Sequence, residues 1–228
     1  MNASPRDAVA VVQARMSSRR LPGKVLATVG EDSVLGLLLG RLAKARSLDE
    51  IVVATSVAPE DDAIALAAEA ASVRVFRGPL DDVLERYRLA AVALGCEGIV
   101  RITADCPLID PEVVDRVVSE WKRGEADYVA NTFEPRTYPD GLDVEVISTH
   151  ALVAAAAEAT DTYEREHVTP FVRDRPERFP QERVELDPPH GDVRVTLDTE
   201  EDLRRIRTIV ERAGADVDLR GMLEVLVA

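Results

Sequence analysis

Basic side chains cluster in one short segment near the start of this 228-residue chain, Q-A-R-M-S-S-R-R-L-P-G-K at residues 13–24. Its cationic residues are Arg15, Arg19, Arg20 and Lys24. No acidic residue occurs between Asp7 and Glu31, although the formal net charge of the chain is -14. A polyphosphate needs cations together with backbone N–H groups that point at its oxygens. The segment therefore predicts a polyphosphate-binding loop, and a solvated basic surface is the alternative.

Two of these cations, Arg15 and Lys24, are spaced to hold a triphosphate from both ends of one loop. Gly23 permits a close approach of the backbone, and Pro22 fixes the path of the chain out of the loop. The apolar run Ala8 to Val12 precedes the loop and reads as a buried strand. We expect Arg15 and Lys24 to be the catalytic residues, because neutralising phosphate charge would be their task.

Two aspartates are candidate ligands for a divalent cation. Asp105, in T-A-D-C-P-L, follows the apolar run 98–103, and Asp198 follows the run 193–197. Mg2+ takes one or two carboxylates and completes its shell with phosphate oxygens and water. The alternatives are a turn residue ahead of Pro107 for Asp105, and a helix N-cap, shared with Thr199, for Asp198.

Apolar runs and helical patterns alternate along the chain, which predicts parallel strands joined by crossover helices. Strands are expected near residues 8–13, 50–55, 73–76, 98–103, 127–131, 143–147 and 193–197. Helices are expected near residues 33–46, 60–71, 81–94, 111–123, 149–159 and 199–213. The predicted fold is a single α/β domain over residues 1–228, with a doubly wound, mostly parallel, Rossmann-like sheet and an insertion at about 131–192. Ligands of such sheets bind beyond the carboxyl ends of the strands, where the basic loop and Asp105 fall.

Composition narrows the range of partners and compartments. A sequence pI near 4.7 argues against nucleic acid, because a phosphate backbone needs a basic surface. We expect no membrane insertion, since no run approaches the ~20 apolar residues of a span. The first residues lack the pattern of a signal peptide. Cys96 and Cys106 suggest neither a disulfide framework nor a zinc site, so a reducing cytoplasm is expected.

Several motifs together resemble a known family. Besides the basic segment they are R-G-P-L-D-D-V-L-E-R-Y (77–87), R-I-T-A-D-C-P-L-I-D (101–110), Y-P-D-G-L-D-V-E-V (138–146), E-R-E-H-V-T-P (164–170) and T-L-D-T-E-E-D-L (196–203). The set is similar to the sugar-activating cytidylyltransferases, which include the acylneuraminate and 3-deoxy-manno-octulosonate enzymes, and in particular to the spore coat polysaccharide biosynthesis protein F family. The resemblance implies a GT-A-like nucleotidyltransferase fold, Mg2+ as cofactor, CTP and a small acidic sugar-like acceptor as substrates, and a homodimer.

The resemblance also implies roles for individual residues. Those expected at the nucleotide are Ala14, Arg15, Met16, Ser17, Lys24, Arg77, Asp82, Arg86, Thr103 and Asp105. The metal ligands would be Asp105 and Asp198. Those expected at the acceptor are Tyr138, Asp140, Asp143, Glu145, Arg165 and His167. Many relatives carry glycine where Ser17 stands, which could alter the geometry of the loop.

Ordinary structural roles remain as alternatives for several of these residues. Asp82 suits the positive end of a helix dipole. Strand alternation puts Asp143 and Glu145 on one face and Val144 and Val146 on the other, as in any half-exposed strand. His167 lies in the motif E-R-E-H-V-T-P, which is expected to form a short helix ended by Pro170, and a lone histidine is more often structural than catalytic. Arg165 could instead cross a dimer interface.

The resulting hypothesis is a Mg2+-dependent enzyme that transfers CMP from CTP to a sugar acid or related cell-surface glycan precursor and releases pyrophosphate. A nucleotide-sugar glycosyltransferase is one alternative, although the chain lacks a convincing D-x-D motif after a central strand. A non-catalytic nucleotide-binding subunit of a glycan-assembly complex is the other.

Overall fold

The computed structural model describes residues 6–227, and most strands in this part of the chain join one central sheet. The strands are β1 (Ala8–Gln13), β2 (Thr28–Val29), β3 (Asp32–Ser33), β4 (Glu50–Ser56), β5 (Arg74–Gly78), β6 (Gly98–Thr103), β7 (Tyr128–Ala130), β8 (Glu145–Ser148) and β9 (Gln181–Arg183). The central sheet has seven strands in the order β5-β4-β1-β6-β8-β7-β9, and β2 and β3 form a separate antiparallel ribbon. Of the seven, β8 runs antiparallel to both of its neighbours, and the other pairings are parallel.

Helices connect the strands and cover both faces of the sheet. They are α1 (Val34–Leu42), α2 (Asp62–Ala70), α3 (Val83–Leu94), α4 (Pro111–Arg123), α5 (Thr149–Glu158), α6 (Thr162–His167), α7 (Pro170–Arg173), α8 (Glu200–Ala213) and α9 (Leu219–Val227). Local sequence explains where several begin. Ser33 caps α1 by accepting a hydrogen bond from the backbone N–H of Gly36, and Pro111 occupies the first turn of α4, where its missing N–H costs nothing.

Alternation along the strands builds a core on each face of the sheet. In β1, Ala8, Ala10 and Val12 belong to the core that also contains residues of α1 and α4. Val9 and Val11 point to the other face, into the core that contains residues of α3 and α5. A period of two places successive side chains on opposite faces, so a strand buried on both sides reads as a continuous apolar run. The predicted doubly wound α/β fold is confirmed.

Three expectations about local structure differ from the molecule. Residues 193–197 do not form a ladder strand, because only Arg194 makes a bridge, to Asp140, and the surrounding backbone bonds to loops. Pro170 does not end a helix. Instead α6 ends at His167, and Pro170 opens α7. The helix α9 was not expected at all. No helix within residues 6–227 is long and apolar enough to cross a membrane.

Candidate active site

The basic loop after β1 is held in shape by Asp61, a buried residue of the loop that follows β4. Its Oδ1 atom accepts a 2.7 Å hydrogen bond from the backbone N–H of Met16. Its Oδ2 atom accepts hydrogen bonds from the hydroxyl and the backbone N–H of Ser56, at 2.5 and 3.3 Å. Inside the loop, the N–H groups of Ser18 and Gly23 both bond to the carbonyl oxygen of Met16. The loop therefore has a defined turn before any ligand arrives.

Gly23 turns the chain so that Lys24 points into the molecule. Its φ of 71° lies in the left-handed region, which glycine adopts without the penalty that a Cβ atom would bring. A short 3-10 helix, Lys24–Leu26, begins directly after it. As a result Lys24, the last cation of the basic segment, is only 9% exposed.

The ammonium group of Lys24 joins three segments of the chain. Its Nζ atom donates hydrogen bonds to the carbonyl oxygen of Leu197 at 2.6 Å, to Asp198 Oδ1 at 3.0 Å and to Asp105 Oδ2 at 3.3 Å. Burying a charge is costly unless it is paired, and here two carboxylates balance one ammonium. The predicted phosphate-binding lysine and both predicted metal ligands thus meet at one point, beyond the carboxyl ends of β1 and β6.

A cavity of about 360 Å3, here called the first cleft, opens above this point. Its lining residues are Gln13, Ala14, Arg15, Ser18, Arg19, Arg20, Lys24, Val25, Val83, Arg101, Thr103, Ala104, Asp105, Glu166, His167 and Asp198. All four cations of the basic segment are among them. Arg20 reaches Asp198 Oδ1 at 2.8 Å, and Arg15 lies 3.7 Å from Glu166. The first cleft therefore presents several cations that only a few carboxylates offset, which suits a highly anionic ligand.

A second cavity of about 560 Å3, here called the second cleft, adjoins the first. It is lined by Arg101, Thr132, Phe133, Glu134, Arg136, Asp143, Glu145, Tyr163, His167, Thr169, Arg173 and Asp174. Arg101 and His167 line both clefts. A ligand in the second cleft would thus lie next to a ligand in the first.

Glu145 fixes Arg101 at the junction of the two clefts. The two residues face each other across the antiparallel pair β6 and β8, and Nη1 of Arg101 donates a hydrogen bond to Glu145 Oε2. The other carboxylate oxygen of Glu145 accepts bonds from the hydroxyls of Tyr128, at 2.5 Å, and Thr169, at 2.8 Å. Burial alone would raise the pKa of Glu145, but the Arg101 charge and these hydrogen bonds bring it below 4.5. Glu145 is therefore ionised near neutral pH.

Ion pairs also occupy the remaining wall of the second cleft. Arg136 donates from Nη2 to Asp143 Oδ1, and Arg173 donates from Nε to Asp174 Oδ1 at 2.8 Å. Burial raises the pKa of Asp143 above its ordinary value, against the lowering effect of Arg136. Burial also lowers the pKa of His167 below 6.5, so its imidazole is neutral near pH 7. This cleft offers hydrogen-bond donors and acceptors in matched pairs.

Comparison with known proteins agrees with this arrangement. The family model described as cytidylyltransferase matches residues 9–220. The chain belongs to the cytidylyltransferase family. It is 32% identical to the spore coat polysaccharide biosynthesis protein SpsF of Bacillus subtilis, over 93% of this chain and 90% of that protein. It is also 32% identical to the 3-deoxy-manno-octulosonate cytidylyltransferase of Geobacter sulfurreducens, over 73% of this chain and 64% of that protein.

A solved cytidylyltransferase from Leptospira borgpetersenii has the same architecture. The two structures superpose with a TM-score of 0.92 at 31% sequence identity, and the match covers 97% of this chain and 94% of the other. The resemblance inferred from the motifs is thereby confirmed, and the protein is a nucleotidyltransferase.

Two carboxylates of this cytidylyltransferase are placed so that they could bind a divalent cation together with the phosphate oxygens of a nucleotide. Within residues 6–227, no group of three or more His, Cys, Asp or Glu side chains converges as a metal site. Asp105 and Asp198 do converge, on Lys24 Nζ. Two carboxylates suffice for Mg2+ when phosphate oxygens and water complete its shell. The pair is therefore suited to Mg2+ that arrives with a nucleotide.

Three residues expected at the nucleotide make contacts of another kind. Arg77 donates to the carbonyl oxygens of Ser56 and Ala58, at 2.8 and 3.0 Å, which ties β5 to the loop after β4. Arg86 is fully buried, donates to the carbonyl oxygen of Pro79, and has no hydrogen-bond partner in the structure for Nε and Nη2. Both of these arginines and Asp82 lie outside the linings of the two clefts. Their role at the nucleotide stays a prediction.

Asp82 and Arg165 bind each other. Asp82 caps α3, as its alternative interpretation proposed, and its Oδ2 atom accepts bonds from Nε and Nη2 of Arg165 at 2.9 and 2.6 Å. Arg165 also donates to the carbonyl oxygens of Ala156 and Ala159. The pair thus fastens α6 to the start of α3. A contact of Arg165 with an acceptor or across a dimer interface stays a prediction.

Four more predicted residues surround the clefts without lining them. Tyr138 is buried in the core on the α1 and α4 face of the sheet. Asp140 binds Arg194, with Asp140 Oδ2 accepting from Nε at 3.1 Å. Met16 contributes its backbone to the basic loop, and Ser17 is exposed beside it. Direct contacts of these four residues with a substrate stay predictions.

Two arginines that sequence reasoning missed are central to the arrangement. Arg101 joins the clefts, and Arg194 contacts Asp198. The sequence did contain a signal for Arg101, because this charged residue interrupts the apolar run G-I-V-R-I-T. Arg101 is two residues from Thr103 and four from Asp105, so strand alternation places it on the same side as these two residues, which also line the first cleft. Arg194 stands in V-R-V-T-L, which reads as an ordinary half-exposed strand.

Proposed function

We propose that this cytidylyltransferase transfers CMP from CTP to an acidic sugar or related glycan precursor, with release of pyrophosphate, in the synthesis of a cell-surface polysaccharide. The observation that carries the proposal is the convergence of Lys24, Asp105 and Asp198 at the floor of a cationic cleft. The family membership supports CTP as the nucleotide, and the two named relatives support a polysaccharide or sugar-acid acceptor.

In the first cleft, the cations act on the triphosphate. Arg15, Arg19 and Arg20 bind phosphate oxygens, and Lys24 neutralises the charge that grows on the leaving pyrophosphate. Asp105 and Asp198 would hold Mg2+, which supplies further charge neutralisation at the phosphate oxygens when bound. Since Asp61 fixes the loop beforehand, little reorganisation accompanies the reaction.

In the second cleft, ion pairs receive the acceptor. The carboxylates of Asp143 and Glu134 accept hydrogen bonds from hydroxyl groups, whereas Arg136 and Arg173 donate to an anionic group. Arg101, at the junction, orients the acceptor toward the first cleft. An acceptor that carries both hydroxyl groups and a negative charge matches this lining.

The chemical step is a single displacement. A hydroxyl oxygen of the acceptor forms a bond to the α-phosphorus of CTP, and the bond between that phosphorus and the α,β-bridging oxygen breaks. The electron pair leaves with pyrophosphate, and the hydroxyl proton passes to solvent. Positioning and charge neutralisation supply the catalysis, so the proposal needs no covalent enzyme intermediate.

Two measurements test the proposal in sequence. Differential scanning fluorimetry with CTP, UTP, ATP and GTP, each with and without Mg2+, should give a selective Mg2+-dependent rise in melting temperature with CTP, because a ligand that binds the folded state stabilises it. A pyrophosphate-release assay with CTP and a panel of sugar acids and neutral sugars follows. Selective turnover of acidic acceptors supports the proposal. Nucleotide binding without turnover across the panel favours the non-catalytic subunit instead.

Two further properties remain proposals. The family resemblance predicts a homodimer, and the cysteine usage predicts a cytoplasmic location. Sedimentation equilibrium of the purified chain measures the first. A molar mass near 24.9 kDa, the value for one chain, would contradict the homodimer.

A further inference from the structure

Arg194 places one guanidinium against three carboxylates. Its Nη2 atom donates to Asp198 Oδ2 at 2.7 Å, its Nη1 atom to Asp202 Oδ1 at 3.0 Å, and its Nε atom to Asp140 Oδ2 at 3.1 Å. Each of the three partners comes from a different part of the site: the end of the extended segment 193–197, the first turn of α8, and the loop before β8. All three nitrogens of the guanidinium are thus engaged.

These contacts point the two carboxylate oxygens of Asp198 in different directions. Oδ2 is turned toward Arg194, whereas Oδ1 faces the first cleft, where it accepts from Lys24 at 3.0 Å and from Arg20 at 2.8 Å. A carboxylate held in this way can offer one oxygen to a cation in the cleft. Without Arg194, the carboxylate would be free to rotate about the Cβ–Cγ bond, away from the orientation that presents an oxygen to the cleft.

The support for Arg194 is itself fixed. Asp202 uses its Oδ2 atom to accept from the backbone N–H groups of Asp198 and Thr199, at 3.0 and 2.9 Å, as part of the capping box of α8. Its Oδ1 atom accepts from Arg194 at 3.0 Å and, at the longer distance of 3.4 Å, from Arg205. On the other side, the backbone of Asp140 bonds to the neighbours of Arg194, donating to the Val193 oxygen at 2.9 Å. Arg194 is therefore braced on both sides.

We propose that Arg194 is a positioning residue that orients Asp198 and thereby sets the affinity of the site for a divalent cation. The inference rests on the proposed function, because it takes Asp198 as a ligand of Mg2+. Partners of metal ligands commonly act in this way by fixing the orientation of the ligand. The competing account is that Arg194 only fastens the loop before β8 to the start of α8.

Substitution of Arg194 by methionine separates the two accounts, with Arg205→Met as the matched control. Arg205 also contacts Asp202 Oδ1, at 3.4 Å, but has no contact with Asp198 among the described hydrogen bonds and ion pairs. Binding of Mn2+ to the protein in the presence of CTP is followed by the loss of the electron paramagnetic resonance signal of free Mn2+, after subtraction of the loss that the same concentration of CTP causes without protein. We expect Arg194→Met to weaken Mn2+ binding by about 10- to 100-fold, and Arg205→Met to leave it unchanged.

The outcomes distinguish this inference from the proposed function. Failure of the wild-type protein to bind Mn2+ with CTP contradicts the metal part of the proposed function. Wild-type binding that Arg194→Met leaves unchanged, or that both variants weaken equally, overturns the positioning role alone. A Mg2+ titration of activity gives a second readout, in which the half-saturating Mg2+ concentration rises while the KM for CTP at saturating Mg2+ stays constant.

A conservative variant covers the case in which Arg194→Met does not fold. The ammonium group of a lysine lacks the planar fork of a guanidinium, so Arg194→Lys keeps the charge but binds fewer than three carboxylates. We expect it to fold and to show an intermediate loss of Mn2+ affinity. Wild-type affinity in Arg194→Lys would contradict the proposal, because charge alone would then suffice.

Discussion

The two clefts differ in how their charges are balanced. In the first cleft, the four cations of the basic segment lie on one loop, and carboxylates from distant segments offset only part of their charge. In the second cleft, Arg101, Arg136 and Arg173 each have a carboxylate partner on the same wall. An excess of cations suits a ligand of high charge, whereas matched pairs suit a ligand that combines hydroxyl groups with a single negative charge.

This difference teaches how one site can treat two substrates differently. Under the proposed function, the first cleft would bind through net charge, which the triphosphate of CTP brings. The second cleft presents donors and acceptors that ion pairs hold in place, so it would select the acceptor by geometry. Removing one member of a pair there leaves its partner unmatched, whereas removing a cation from the first cleft weakens charge neutralisation.

The largest expected effect is on stability, at the junction of the clefts. Arg101→Met leaves the buried carboxylate of Glu145 without its cation, and we expect the free energy of unfolding to fall by about 3–5 kcal/mol. Urea denaturation monitored by circular dichroism measures it. Arg178→Met, which breaks the exposed pair with Glu158, should change little. An equal, small effect of both variants would show that the buried pair is not needed for folding.

Next in size is the effect of Lys24→Ala on turnover. Loss of the ammonium at the floor of the first cleft should lower kcat by about 100- to 1,000-fold, because one preorganised charge donor is removed. Circular dichroism should show an intact fold. Lys44→Ala, at an exposed lysine paired with Asp216, serves as the control and should retain full turnover. Unchanged turnover in Lys24→Ala would refute the phosphate-binding assignment.

A smaller effect should separate the substrates. Arg136→Met removes a donor from the second cleft alone, so we expect the KM for the acceptor to rise by about tenfold while the KM for CTP stays constant. Steady-state kinetics with each substrate varied in turn gives both values. Arg220→Met, at an exposed arginine that pairs with Glu224 and lies outside both cleft linings, should alter neither. A rise in the KM for CTP instead would mean that the clefts do not divide the substrates as described.

The smallest expected effect is a dependence of stability on pH. The pKa of Glu145 is lowered on folding from its ordinary 4.5. Its ion pair therefore contributes fully above the unfolded value and is lost as the pH falls through the lower folded value. The difference in unfolding free energy between the wild-type protein and Glu145→Gln should narrow as the pH falls below about 4. Urea denaturation at a series of pH values measures it, and a constant difference would contradict the assignment.

The location of the first cleft could be predicted from the sequence, because its candidate residues follow predicted strands. The basic loop and Asp105 were each placed after a predicted strand, and the carboxyl ends of parallel strands meet at one edge of the sheet. Asp198 meets Lys24 as well, although the predicted strand before it, 193–197, is not a ladder strand. The second cleft was harder, because the pairing of Arg101 with Glu145 depends on the register of β6 and β8, which are 44 residues apart at that pair. Alternation alone did correctly put Val144 and Val146 in the core, and Asp143 and Glu145 at the cleft.

The segment 193–197 has a sequence pattern that predicts a strand, but its structure is different. Its alternating V-R-V-T-L has the composition of a strand, but Val195 donates to the Asp140 oxygen and Leu197 to the Asp105 oxygen, so its partners are loops. Gly141 permits this close approach, because a Cβ atom there would lie 2.7 Å from the Thr196 nitrogen. Such contacts arise from tertiary structure and leave no local signal.

The contact between Asp61 and Met16 has a consequence for protein engineering. The basic loop carries its cations within one short stretch, which invites transplantation into another α/β scaffold. Its turn, however, depends on a carboxylate from the loop after β4, which is fastened in turn by Ser56. A graft of residues 13–24 alone would move the charges without the shape, and a working transplant would have to include the neighbouring strand and its acid.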